Sequence, residues 1–213
     1  MINIALIDDH LLVRESFAHL LSTQPNWQVV AQWGSYAEVE NYCGDTDFDI
    51  ALVDISLPDR NGLDVAQLIK KTCPHSKIIM VSMYEQYHYI TQAIDIGAMG
   101  YVSKRAAADE IIEAVKAVSK GEVYLTREIL QVLHFNSGGN DARIASLTTR
   151  ELEIFILLAK GHNPKKVAQL TDTMPKTILT HRANIYRKLN AASPFDLLRI
   201  GLQSGTISFE EFL

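Results

Sequence analysis

The chain has 213 residues, of which 47% are hydrophobic and 21% are charged. This length allows one or two domains, and this composition is typical of a globular protein and excludes a disordered or fibrous chain. No apolar run is long enough to span a membrane, and the N-terminus enters a strand-like segment without a basic leader, so we expect no signal peptide and no membrane partner. Cys43 and Cys73 have no CxxC spacing, which excludes a disulfide scaffold and a structural zinc site and favours a reducing cytoplasm.

The net charge of −5 is unevenly distributed along the chain. Residues 146–213 carry nine Lys and Arg against six Asp and Glu, whereas residues 1–145 carry eleven against nineteen. An acidic front and a mildly basic back indicate two modules with different partners. The basic excess is small, so charge alone indicates nucleic acid only weakly.

The first part of the chain alternates strand and helix patterns. Apolar runs rich in β-branched residues are separated by amphipathic stretches, and they lie at residues 2–7, 27–31, 50–53, 77–82 and 99–102. This pattern predicts an α/β domain over residues 1–120, with a doubly wound five-stranded parallel sheet covered on both faces. Ligand sites in such sheets lie outside the carboxyl ends of the strands.

The second part of the chain is predicted to be all α. A short helix up to residue 135 and the flexible segment NSGGNDA at 136–142 place a linker at 121–146. Over residues 147–213 the sequence predicts four helices, whose starts are marked by a capping box at Thr148 and Glu151, by Asn163-Pro164, by Pro175 and by Ser193-Pro194. A short helix, a tight turn and a longer helix in the middle form the helix-turn-helix arrangement.

Polar side chains that suit the binding or transfer of a phosphoryl group follow the predicted strands at one edge of the sheet. They are Asp8 and Asp9 after the first strand, Asp54 after the third, Ser82 at the end of the fourth and Lys104 after the fifth. Three neighbouring carboxylates attract a hard divalent cation such as Mg²⁺, and an aspartate can form an acyl phosphate. A lysine and a hydroxyl can then bind the phosphoryl oxygens. Each residue alone is also explained as a solvated loop residue, but the five together indicate a site.

Four segments of this region resemble the receiver domain of two-component response regulators. They are ALIDDH at 5–10, LVDISLPDRNG at 52–62, IIMVS at 78–82 and GAMGYVSK at 97–104. The resemblance spans residues 1–120 and implies the flavodoxin-like receiver fold. It implies that Asp54 is the phosphoacceptor and that Mg²⁺ is held by Asp8, Asp9, Asp54 and the backbone carbonyl of Ser56. It also implies that Ser82 and Lys104 contact the phosphate and that Tyr101 changes rotamer on activation.

Arg105 departs from the usual sequence of receivers, and Ser56 departs from that of aspartyl-phosphate phosphatases. Arg105 stands where many receivers have proline, which affects the local loop but not the chemistry. Aspartyl-phosphate phosphatases usually carry a second acid two residues after the nucleophile, and here that position is Ser56. We therefore do not expect an independent enzyme.

Residues 147–204 resemble the four-helix DNA-binding domain of the LuxR/NarL/FixJ type. The matching segments are LTTRELEIFILLAKGHN, VAQL, KTILTHRANIYRKL and SPFDLL. Four positions depart from the family. Leu179 and Ala183 lie near positions that are often Lys or Arg, and Met174 replaces a capping Ser or Thr. Asn190 replaces a glycine, and asparagine tolerates the left-handed conformation expected there.

Helix geometry divides the helix over residues 175–189 into two faces. At about 100° per residue, Ile178, Ile185 and Leu189 share one side. The opposite side is predicted to enter the major groove of DNA. The full DNA-binding set comprises Lys176, Leu179, Thr180, His181, Arg182, Ala183, Arg187 and Lys188, with Lys165 and Lys166 from the preceding helix.

Together these features predict a cytoplasmic response regulator and transcription factor of the NarL/FixJ family. A partner histidine kinase would phosphorylate Asp54, and phosphorylation would control homodimerisation and binding to promoter half-sites. The alternative is a phosphorylation-switched regulator whose helix-turn-helix domain binds protein and has lost specific DNA binding.

Overall fold

The computed structural model describes residues 1–106, 108–135 and 142–208. Its N-terminal part is a parallel sheet with strand order β2-β1-β3-β4-β5-β6. The strands are β1 (Ile2–Ile7), β2 (Trp27–Trp33), β3 (Ile50–Val53), β4 (Lys77–Ser82), β5 (Gly100–Ser103) and β6 (Tyr124–Leu125). The helices around the sheet are α1 (Leu11–Ser22), α2 (Tyr36–Tyr42), α3 (Gly62–Thr72), α4 (Tyr87–Ile96) and α5 (Ala108–Ser119).

The sheet confirms the predicted parallel α/β fold and adds a sixth strand. Strand β6 has two residues and pairs with β5, which is too short to produce a recognisable sequence pattern. It falls in the predicted linker, together with α6 (Arg127–Phe135) and a 3₁₀ helix at Ala142–Ser146. Most of the predicted flexible segment, residues 136–141, lies outside the described residues.

Apolar strands explain why both faces of the sheet are covered. Alternate residues of β1 point to opposite sides, so that Ala5 and Ile7 pack in one core and Ile4 and Leu6 in the other. Helices α1 and α5 contribute to the core around Ile4, whereas α2, α3 and α4 contribute to the core around Ile7. This two-sided cover leaves the carboxyl edge of the strands open for a site.

The C-terminal part contains the four predicted helices, α7 (Thr149–Ala159), α8 (Pro164–Leu170), α9 (Pro175–Leu189) and α10 (Pro194–Gln203). Ile178, Ile185 and Leu189 are fully buried, which confirms the predicted inner face of α9. Met174 caps α9 without a side-chain hydrogen bond, and Asn190 ends it in the left-handed conformation with φ of 51°. Among the described residues, no helix is long and apolar enough to cross a membrane.

Helix α7 begins with a complete capping box. The Thr148 backbone N–H donates to Glu151 Oε2 at 2.9 Å, and the Glu151 N–H donates to Thr148 Oγ1 at 3.3 Å. The Lys188 ammonium lies 2.6 Å from Glu151 Oε2. These hydrogen bonds, Lys188 first, lower the pKa of Glu151 to about 2.

Removing this cap is expected to destabilise the helical domain. Thr148→Ala should lower its free energy of unfolding by about 1 kcal/mol. Folding lowers the pKa of Glu151. The ionised carboxylate therefore contributes fully to the free energy of unfolding above its ordinary pKa of 4.5, and this contribution is lost as pH falls toward about 2. Urea unfolding followed by circular dichroism measures the free energy of unfolding of wild type and of Glu151→Gln. The difference between the two free energies should shrink as pH falls through that window. A difference that stays constant with pH would contradict this role of Glu151.

Helix α6 joins the two parts of the molecule. It packs against α4 and β5 of the N-terminal domain and against α10 of the helical domain, and α10 also touches α4. Across the same junction, the Val123 N–H donates to the Gly161 carbonyl at 3.2 Å. The Asn163 amide donates to the Lys120 carbonyl at 3.0 Å. The face formed by α4 and β5 is therefore in direct contact with the helical half of the chain.

Candidate functional site

The sheet topology brings the predicted acidic residues together. Asp8 follows β1 and Asp54 follows β3, and these strands are direct neighbours in the sheet. Both residues are buried, with exposed fractions of 4% and 3%. Asp9, by contrast, is exposed at the mouth of the same pocket. Ligand atoms of Asp8, Asp9, His10 and Asp54 all lie within 4.8 Å of one another.

Lys104 bridges the two buried carboxylates. Its ammonium lies 2.5 Å from Asp8 Oδ2 and 2.7 Å from Asp54 Oδ2. Burial raises the pKa of Asp54 and the negative charge of Asp8 adds to this effect, while Lys104 and the Ser56 N–H oppose it. Burial alone would lower the pKa of Lys104, but its hydrogen bonds to both carboxylates outweigh that and raise it. Lys104 thus offsets part of the repulsion between two acids held in a poorly solvated pocket.

The donor set of this pocket fits a hard divalent cation. Three carboxylates from two adjacent strand ends provide the oxygen ligands that Mg²⁺ prefers, and the exposed Asp9 leaves a route for the ion and its waters. The Ser56 backbone lies at the same strand end, where Ser56 pairs with Asn61 in an isolated bridge. The pocket therefore has the chemistry of a magnesium site, beside a nucleophilic carboxylate and a cation.

Ser82 and Tyr101 meet at a shared residue, Tyr84. Ser82 Oγ is completely buried and accepts a hydrogen bond from the Tyr84 N–H at 3.2 Å. The Tyr101 hydroxyl donates to the Tyr84 carbonyl, and its ring is 1% exposed. Burial, and after it the charge of Asp54, raises the pKa of Tyr101 above its ordinary value, so the hydroxyl keeps its proton. The loop after β4 is thus held by both residues that the sequence singles out as switch residues.

Several contacts of the pocket are absent from the sequence-based set. The Arg14 guanidinium donates to the Asp8 carbonyl, and the His10 imidazole lies 2.6 Å from Asp9 Oδ1. Glu85 accepts from Ser103 Oγ at 2.5 Å and lies 3.7 Å from the Arg105 guanidinium. The placement of His10 next to two aspartates was a signal in the sequence; nothing in local spacing indicates the other contacts.

The predicted DNA-binding face of α9 is largely open. Lys176, Leu179, Thr180, Ala183 and Arg187 are exposed, and so are Lys165 and Lys166 on α8. His181, Arg182 and Lys188 are half-buried. The Arg182 guanidinium lies over the Tyr186 ring at 4.9 Å, and Lys188 is engaged with Glu151 and the Ser146 carbonyl. The structure therefore presents a surface of mixed basic and small side chains along most of the predicted set.

A receiver-like sheet with this pocket and a helix-turn-helix unit with an open second helix define a two-domain response regulator. Residues 4–116 match the family model of the response regulator receiver domain, and residues 145–200 match that of the bacterial regulatory proteins of the luxR family. The chain belongs to this family of receiver-containing, LuxR-type response regulators and is a transcription regulator. The predicted family and fold class are confirmed.

Individual relatives and solved structures match between 61% and 97% of this chain. The transcriptional regulatory protein UhpA of Escherichia coli K12 is 38% identical over 93% of this chain and 97% of its own length. A LuxR-family two-component response regulator from Aurantimonas sp. SI85-9A1 is 29% identical, with a TM-score of 0.58 over 61% of this chain and 92% of that chain. RcsB of Salmonella enterica serovar Typhimurium, solved bound to promoter P1flhDC with phosphomimetic BeF₃⁻, shares the fold with a TM-score of 0.59, at 21% identity over 97% of this chain and 99% of that chain.

Proposed function

We propose that the chain is a response regulator transcription factor switched by phosphorylation of Asp54. The observation that carries this proposal is the position of its carboxylate, which is 3% exposed at the end of β3 and 2.7 Å from the Lys104 ammonium. The partners are a histidine kinase that donates the phosphoryl group, a second copy of the chain and double-stranded DNA. With DNA as its target, the protein acts in the cytoplasm.

In the transfer, a carboxylate oxygen of Asp54 attacks the phosphorus of a phosphohistidine on the kinase. The P–N bond breaks as the P–O bond forms, and the electron pair returns to the imidazole. When bound, Mg²⁺ supplies positive charge to the phosphoryl oxygens; Asp8, Asp9, Asp54 and the Ser56 carbonyl are its proposed ligands. The Lys104 ammonium already contacts the Asp54 carboxylate, so it can pair with the phosphoryl group once that group is attached there.

The same contacts suggest how the signal leaves the pocket. Ser82 Oγ is a hydrogen-bond partner for a phosphoryl oxygen, and its hydroxyl already contacts the Tyr84 N–H. Movement of this loop shifts the position of the Tyr84 carbonyl, which accepts the hydrogen bond from Tyr101 on β5. Since α6 packs on β5 and α4, we propose that this change biases the junction with the helical domain and promotes dimerisation. We propose, as the sequence predicts, a receiver over 1–120, a linker over 121–146 and a DNA-binding domain over 147–213.

We propose that α9 reads DNA through the set predicted from the sequence. Lys176, Thr180, Ala183 and Arg187 lie on one exposed stripe, so a groove can approach them without unfolding the domain. Thr180 and Ala183 suit contacts with thymine methyl groups, whereas Lys165, Lys166 and Arg187 suit phosphates. This open face supports DNA as the target over the alternative, a helical domain that binds only protein.

Arg187→Ala is expected to weaken DNA binding uniformly across sequences. The Arg187 side chain is exposed, and within the described residues its hydrogen bond is a long one of 3.4 Å to Asn184, so its loss should leave the domain folded. As a phosphate contact it should reduce the salt slope of binding by about 1. Fluorescence anisotropy at several salt concentrations measures this slope. Lys116→Ala, which removes one exposed charge from α5, is the control; equal slopes in both variants would argue that this face does not meet DNA.

A further inference from the structure

A cavity of about 360 Å³ lies between the receiver and the helical domain. The receiver side is formed by the end of α3 and by the turn between α4 and β5, including Lys70, Gly97 and Met99. The helical side is formed by α9 and by the starts of α8 and α10, including Arg182 and Tyr186. Its volume is at the lower end of the range for small-molecule sites. The cavity lies beyond the amino ends of the strands, away from Asp54.

Among the described residues, Lys70 and Arg182 are the charged side chains that line this interdomain cavity, and no Asp or Glu lines it. His162 lines it as well, but burial lowers the pKa of its imidazole, so it adds no positive charge at neutral pH. Outside the lining, Glu122 lies close enough to affect His162 electrostatically. Asp196 accepts from the Ala192 and Ser193 N–H groups and pairs with Arg199, so its charge is already engaged.

Neither Lys70 nor Arg182 pairs with a carboxylate in the described part of the chain. The Lys70 ammonium is half-buried, and its hydrogen bond goes to the Ser76 carbonyl at 3.4 Å. Burial lowers the pKa of Lys70. The Arg182 guanidinium contacts the Tyr186 ring and hydroxyl, at 4.9 Å and 3.3 Å, rather than a carboxylate. A partly desolvated cation without a counter-charge is costly, and an anion placed between two such cations relieves that cost.

We propose that this interdomain cavity binds a small phosphomonoester, with Lys70 and Arg182 contacting its phosphate. The phosphate is favoured because a doubly charged anion suits two cations, and a guanidinium fork matches its oxygens. The remaining wall is mixed: Met99, Leu158 and Leu197 offer apolar contacts for the organic part of the ligand, and Asn163 and Ser193 are polar residues beside them. Such a ligand touches both domains and ties the receiver to α9.

Calorimetric titration of phenyl phosphate into the full chain, without Mg²⁺, tests this site. We expect saturable binding to one site per chain, and no binding of phenol, which lacks the anion. Lys70→Gln and Arg182→Gln should each weaken binding by about tenfold, since each removes a charged hydrogen bond. Lys71→Gln on the same helix, where Lys71 is exposed and does not line the cavity, is the matched control and should change affinity less than about twofold.

The outcomes separate this site from the phosphoacceptor. Asp54→Asn should bind phenyl phosphate as the wild type does, so failure of the phosphorylation proposal leaves this test intact. Thermal unfolding of each variant establishes that it is folded, and the two variants lie in different domains. No saturable binding by wild type, or equal losses in Lys70→Gln and Lys71→Gln, would overturn the proposal.

Discussion

Asp54→Asn is expected to abolish formation of the acyl phosphate. An amide oxygen is a far weaker nucleophile than a carboxylate, and the change also removes one of the proposed Mg²⁺ ligands. Incubation with a radiolabelled histidine-kinase phosphodonor and Mg²⁺ should label the wild type with a hydroxylamine-sensitive bond. The variant should show no label above background.

Asp64→Asn is the matched control for this loss. Asp64 is exposed in the first turn of α3, close in sequence to the pocket but outside the acidic cluster. It should be labelled as the wild type is. Persistent Mg²⁺-dependent labelling of Asp54→Asn would remove Asp54 from its proposed role, whatever the DNA-binding domain does.

Gly62→Ala is expected to destabilise the receiver by about 3 kcal/mol or more. A Cβ at this position would lie 1.8 Å from the Asp54 carbonyl oxygen and 2.8 Å from the Ile55 Cα, so backbone must move. The Gly62 N–H also donates to the Ile55 carbonyl at 2.8 Å, which ties α3 to the strand end that carries Asp54. The substitution should therefore displace the phosphoacceptor as well as weaken the fold.

Tryptophan fluorescence during urea unfolding measures this effect, because Trp27 and Trp33, the only tryptophans of the chain, lie in β2 of the receiver. Gly44→Ala is the control, since a Cβ there would make only an ordinary contact of 3.4 Å with Thr72. Equal unfolding midpoints for the two variants would show that the close approach of α3 to the backbone of Asp54 and Ile55 does not require Gly62.

The acidic pocket could be predicted because a parallel sheet turns chain order into geometry. Asp8, Asp54, Ser82 and Lys104 are distant in sequence, but each one ends or directly follows a strand, and parallel strands place those ends at one edge. The inner face of α9 could also be predicted from the sequence, because Ile178, Ile185 and Leu189 repeat with the period of a helix, and all three are buried. Both predictions depend on periodicity and strand ends, which are local properties of the sequence.

The remaining features depend on tertiary contacts that no local pattern encodes. Arg14 reaches the Asp8 carbonyl from the face of α1, and the ion pair of Lys188 with Glu151 joins α9 to α7. Strand β6 forms only because β5 offers an edge, and its two residues have no periodicity of their own. The interdomain cavity likewise depends on the contact of α10 with α4. These contacts became visible only once the elements were placed in three dimensions.

In the proposed function, phosphorylation of Asp54 controls sequence-specific DNA binding by α9. Selection from a pool of genomic DNA fragments, with and without a phosphoryl donor and Mg²⁺, tests this directly with wild type and Asp54→Asn. We expect enrichment of a repeated half-site by the phosphorylated wild type alone. Phosphorylation of the wild type without any enriched sequence would contradict it and would indicate a protein partner for the helical domain.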